Sequence, residues 1–142
     1  MAKEHRPNSD LAHLIIEFYE KLSSWEHGVV RGTGLTPTQM HVIEVLGVHK
    51  ALRMKELAER MGVTTGTLTV VADKLEQRGL LRRKPNTEDR RSILVELTDA
   101  GQERFLEHDK LHHDLTHDIT ADLTSEDAAC LEACLRKINR RF

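Results

Sequence analysis

MKELAERMGVTTGTLTVVADKLEQRGLLRRKPNTEDRRSILVEL, from Met54 to Leu97, is the segment from which the rest of this chain is best understood. Leu57, Ala58 and Met61 recur at helical spacing and form one apolar stripe. Gly62 breaks that helix where the backbone must reverse, and small Ala58 lets a second helix pack closely. Thr64 is the expected N-cap of the next helix, whose inner face is Leu68, Val71, Ala72 and Leu75. Gly79 ends it in a left-handed cap, with Leu80 and Leu81 directly after. Arg82 to Val95 then reads as a hairpin whose loop, from Pro85 to Arg91, carries turn formers and cations. Ile93, Val95 and Leu97 alternate, which predicts one buried strand face.

Two helices across a tight turn, followed by a charged hairpin, form a winged helix-turn-helix, an apparatus suited to reading duplex DNA. The predicted fold is mainly α with a small β-wing, the winged helix-turn-helix spanning 36–97. Helices over 10–31 and 99–141 flank it as dimerisation elements within a single 142-residue chain. The first has Leu11, Leu14, Ile15, Phe18, Leu22 and Trp25 on one stripe. Thr36, Pro37 and Gln39 form a clean helix start with a capping box, and that helix runs through Met40, Ile43, Val45 and Leu46 to about Val48. Thr98 caps a long helix to about Ile119, with Phe105, Leu111, Leu115 and Ile119 sparse on its apolar face. Thr124 opens the last helix, with Cys130, Leu131, Cys134, Leu135 and Ile138 inward. Apolar stripes at both chain ends have too little partner surface in one subunit. They predict a homodimer, which would meet a palindromic operator with half-sites about one DNA turn (~34 Å) apart.

Net charge is −2, which by itself argues against a polyanionic partner. The distribution argues the other way. Lys50 to Ser92 holds eleven Lys/Arg against six Asp/Glu, whereas Asp99 to Leu135 holds two against ten. Phosphate binding depends on the local face rather than the total. No apolar run is long enough to span a bilayer, and the polar start MAKEHRPNSD has no signal-peptide core, so a soluble, cytoplasmic protein without a membrane partner is expected. Two cysteines are too few for a disulfide framework. Their spacing on a leucine-rich helix favours packing over thiol sensing.

The order of helices, the ELAERMGV element, the LEQRGLLRR hinge and the EDRRSILVELTDAG wing resemble the MarR family of bacterial transcriptional regulators over nearly the whole chain. The resemblance implies a recognition helix in the major groove and a wing tip in the adjacent minor groove. Carried over by position, Thr64, Thr65, Gly66, Thr67, Thr69 and Val70 face the bases, and Val70 is placed to meet a thymine methyl. Many relatives have an arginine where this chain has Val70. Lys74 and Arg53 would sit over phosphates, and the wing cations Arg90 and Arg91 follow, with Arg91 entering the minor groove. Asp89 is expected to orient Arg91 by an ion pair.

Nine histidines stand out, four of them in HDKLHHDLTH. His108 and His112 are four apart on one helical face, a spacing that presents two imidazoles to one metal ion. The resemblance extends here to the zinc-responsive (adhesin-competence type) members, in which a histidine at the position of His41 joins such a pair. It therefore implies a zinc site of His41, His108 and His112, with Glu26 or His27 as the fourth ligand, and metal and DNA binding that reinforce each other. The sequence leaves two other readings open. One is a regulator that answers a phenolic or drug-like small molecule or an oxidant. The other is a zinc hydrolase, suggested by His108-Asp109-x-x-His112; aspartate in place of the glutamate base and the lack of a glycine-rich cleft weigh against it, and no enzyme activity is expected.

Overall fold

The computed structural model describes residues 7–142; the opening residues 1–6 of the MAKEHRPNSD segment lie outside the described part. Its elements in order are α1 (Pro7–Arg31), α2 (Pro37–His49), β1 (Ala51–Arg53), α3 (Met54–Met61), α4 (Thr65–Gln77), β2 (Leu81–Pro85), β3 (Ile93–Leu97), α5 (Asp99–Ile119) and α6 (Ser125–Asn139). They fall into two compact units, one through Gln102 and one from Glu103 to Phe142.

The first unit holds the winged helix and its core. Met40, Val42, Ile43 and Leu46 of α2 are buried, as are Leu57 and Ala58 of α3 and Leu68, Ala72 and Leu75 of α4. Each fully buried leucine or isoleucine contributes about 2 kcal/mol. Helix ends lie where their chemistry puts them. Thr36 and Gln39 exchange both capping-box bonds, the Gln39 N–H to Thr36 Oγ1 at 3.2 Å and the Thr36 N–H to Gln39 Oε1 at 3.0 Å. Gly62, at φ +65°, closes α3 in the left-handed conformation that lets α4 turn back. The end of α1 contributes Val30 to this core. Its N-terminal stripe of Leu11, Leu14, Ile15 and Phe18 is exposed in the single chain.

The sheet has the order β1-β3-β2 with antiparallel pairing throughout. β1 is absent from the sequence reading. Three residues carry no periodicity of their own, and this strand exists through Leu52 opposite Val95, both buried. The alternation expected of β3 holds only in part: Val95 is buried and Leu97 half-buried, but Ile93 is 51% exposed. Ile93 pairs with Pro85 at the open end of the ladder, with about half of its surface left to solvent.

In the second unit, by itself, α6 has no buried residue, so Leu131, Leu135 and Ile138 are exposed in one chain. Cys130 and Cys134, expected to pack, are exposed there as well. Thr124 caps α6 in a box with Asp127. Among the described residues no helix is long and apolar enough to cross a membrane.

The start of α5 is latched to the chain just after α4. The Thr98 N–H donates to the Leu80 carbonyl at 3.2 Å, and Thr98 Oγ1 donates to the Gly79 carbonyl at 2.5 Å. Gly101 lies against the same Leu80 carbonyl so closely that a Cβ would fall 2.0 Å from its oxygen. Gly101→Ala is therefore expected to destabilise the fold by at least ~2 kcal/mol in chemical denaturation. An unchanged denaturation midpoint would show that this approach is not made.

Candidate nucleic-acid interface and metal-binding residues

Burying Leu68, Ala72 and Leu75 turns the other face of α4 to solvent. Thr65, Gly66, Thr67, Thr69, Val70 and Lys74 are all exposed. Thr64 lies just before them as the N-cap, accepting from the Thr67 N–H at 3.1 Å and donating to Thr67 Oγ1 at 3.0 Å. Thr69 Oγ1 donates back to the Thr65 carbonyl at 2.9 Å. Val70 is 55% exposed. The N-terminal half of this helix is thus a surface of hydroxyls and methyl groups without charge.

The wing tip is tied by its own polar groups. The Asn86 side chain, buried, accepts from the Glu88 N–H at 3.0 Å and donates to Ser92 Oγ at 2.9 Å. Ser92 Oγ donates to the Asp89 carbonyl at 3.1 Å. Asp89 departs from expectation. Its Oδ1 accepts the backbone N–H of Arg91 at 3.0 Å, while Oδ2 faces Arg53 Nη2 at 3.8 Å. The carboxylate holds the main chain at Arg91 and pairs with Arg53; it does not pair with the Arg91 guanidinium. The short Asx-turn geometry reaches the nearest N–H before it can reach a side chain that extends outward. Among the described residues, Lys74, Arg90 and Arg91 make no ion pair, and all three are exposed. They are the cations available to phosphate on this face. Across the wing, Glu96 bonds Lys84 Nζ at 2.5 Å and Arg82 Nε at 2.7 Å, and the Lys84 bond is the main cause holding its carboxyl below the usual range.

The proposed metal ligands divide between the units. In the second, His108 is buried and His112 half-buried, and their Nε2 atoms lie 3.1 Å apart with the rings edge to face. Two imidazoles on one tetrahedral ion, with bonds near 2.0 Å, have nitrogens roughly 3.3 Å apart, so this pair fits a metal. In the first unit, the carboxylates of Glu26 and Glu44 lie within 4.8 Å of each other. His41 Nδ1 donates to Glu44 Oε2 at 3.3 Å, and that bond raises its pKa above the usual imidazole value against the opposing effect of burial. His27 Nδ1 donates to the Ser23 carbonyl at 2.7 Å. Both rings keep Nε2 for another partner. Glu44 was missed from sequence; its place three residues after His41, on the same helical face, was the available signal.

Residues 35–93 match the model of the MarR family. The chain is 37% identical over 99 residues to the HTH-type transcriptional repressor MdtR of Bacillus subtilis (strain 168), covering 70% of this chain and 64% of that protein. It spans less than two thirds of the length of the curated relatives it matches first. The fold is similar to that of wild-type MarR from E. coli in its apo form, with a TM-score of 0.75, 29% identity and coverage of 90% of this chain and 95% of the other. A mutant of that protein complexed with operator DNA gives a TM-score of 0.73 at 27% identity, covering 96% and 99%. The named homologues are transcriptional regulators, not enzymes.

Proposed function

We propose that this chain, whose residues 35–93 match the MarR family model, is a homodimeric, sequence-specific transcriptional regulator that binds double-stranded DNA. The observation that carries this reading is the uncharged N-terminal half of the outward face of α4, beside a braced wing whose Arg90 and Arg91 side chains are uncommitted. In this reading Val70 and the threonines from Thr64 to Thr69 meet base edges. Lys74 holds a phosphate, Arg53 reaches one by exchanging its long 3.8 Å pair with Asp89, and Arg91 enters the minor groove. The local excess of Lys/Arg supplies the non-specific part of the affinity, and it makes binding steeply salt-dependent. The exposed stripes of α1 and α6 support pairing with a second copy. A cytoplasmic location goes with this role.

Control by zinc or another transition metal is the finer part of the proposal, and the facing imidazoles of His108 and His112 support it. They would ligate through Nε2, while His41, Glu26, His27 and Glu44 are the remaining donors to be sorted by substitution. Nitrogen and oxygen donors suit zinc, which would supply a closed structural centre without redox chemistry. Metal and DNA would bind with positive, reciprocal coupling.

Arg91→Ala is expected to weaken operator binding by roughly 1–3 kcal/mol in an anisotropy titration while leaving the dimer mass intact. Unchanged affinity would remove the wing from the interface. Zinc titrated into chelator-treated protein is expected to bind tightly at one ion per subunit, with binding lost in His112→Ala. Because the His41 pKa is raised, protons compete with metal at that ring from a higher pH than at an ordinary histidine, and zinc affinity that depends on His41 falls as pH is lowered. Weak binding indifferent to both His112→Ala and His41→Ala would end the metal reading. A phenolic or drug-like effector would then take its place.

A further inference from the structure

The reading helix α4 carries two carboxylates, Asp73 and Glu76, three apart and therefore neighbours on its surface. Asp73 follows Val70 by three residues and Thr69 by four, one turn further along the face proposed to meet DNA. Carboxylates there oppose a phosphate-lined groove. Both are taken up by one side chain from the wing. Arg83 of β2, placed opposite Val95, sends Nη2 to Asp73 Oδ1 at 2.6 Å and Nη1 to Glu76 Oε2. Its side chain is 25% exposed, and the two carboxylates it holds are 52% and 42% exposed. The planar fork of a guanidinium can hold two carboxylates at once, which a lysine does less well.

We propose that Arg83 is a positioning residue for DNA binding, which shares its one positive charge between Asp73 and Glu76 so that α4 meets phosphate with one uncompensated negative charge at this place rather than two. This deepens the reading of α4 as the recognition helix and rests on it. Arg83 itself touches no DNA in this account. It acts through the charge of the carboxylates it holds.

The test compares charge removal with charge rescue. Arg83→Gln is expected to weaken binding to an operator selected in vitro by roughly tenfold at moderate salt, one log unit of repulsion. The triple variant Arg83→Gln/Asp73→Asn/Glu76→Gln is expected to return to within about threefold of the parent. A mere brace would behave differently, since the triple variant has no clamp either. Equal weakness of the single and triple variants would overturn the proposal, as would parental affinity in Arg83→Gln. If Arg83→Gln does not fold, Asp73→Asn/Glu76→Gln with Arg83 retained decides the matter. Binding at least as tight as the parent supports neutralisation, and weaker binding overturns it. Repeating the series on a random-sequence duplex separates the two claims. Neutralisation acts on any phosphate backbone, whereas failure of the parent to prefer any sequence would overturn the regulator reading instead.

Discussion

The packing of Leu68, Ala72 and Leu75 into the first unit is the constraint on which the rest of the reading surface depends. A helix has one period. Once these three positions are buried, Thr65, Gly66, Thr69, Val70 and Asp73 must face outward together. The recognition surface therefore needs no energy of its own to form; it is the complement of a core that forms for hydrophobic reasons. Thr64 adds a cap worth about 1 kcal/mol and fixes where that surface begins. Arg78, just past the helix, sets the other end by donating to the Gly34 carbonyl at 2.6 Å, which ties α4 to the turn between α1 and α2.

Charge then decides what the surface can meet. The chain is slightly acidic as a whole, yet its cations are concentrated in the segment that builds α3, α4 and the wing. Several are spent internally: Arg83 on Asp73 and Glu76, Arg82 and Lys84 on Glu96, and Arg53 on Asp89. Exposed pairs of this kind add little to stability. Their effect here is on charge: they offset carboxylates on the wing and on α4 while Lys74, Arg90 and Arg91 stay open to phosphate. Apart from Asp99, the acidic residues of α5 and α6 lie in the second unit, beyond this segment in sequence.

Local chemistry was readable without coordinates wherever the partners lie within a turn or two. The Thr36–Gln39 box, the Thr64 and Thr124 caps, the Gly62 reversal and the buried row of α4 all follow from residues close in sequence. Contacts between distant segments were not readable. β1 is a strand only because β3 accepts it, and Asp89 finds Arg53, which no spacing rule connects. The same holds for Arg83 with Asp73 and Glu76, and for the closeness of Glu26 to Glu44. His108 and His112 were readable as a pair because one helical turn brings them together, and the 3.1 Å between their nitrogens is the outcome of that spacing. The apolar stripe of α6 was readable too, but the surface that meets it was not, and the stripe is exposed in one chain.

The central claim is that two copies of this winged helix read one duplex. Selection of bound sequences from a randomised duplex pool by the purified protein tests it most directly. The account predicts enrichment of a two-fold symmetric site, with half-site centres about one helical turn (~34 Å) apart, protected by a dimer. Recovery of a pool no different from the input would contradict it, leaving the exposed face of α4 without a duplex to read.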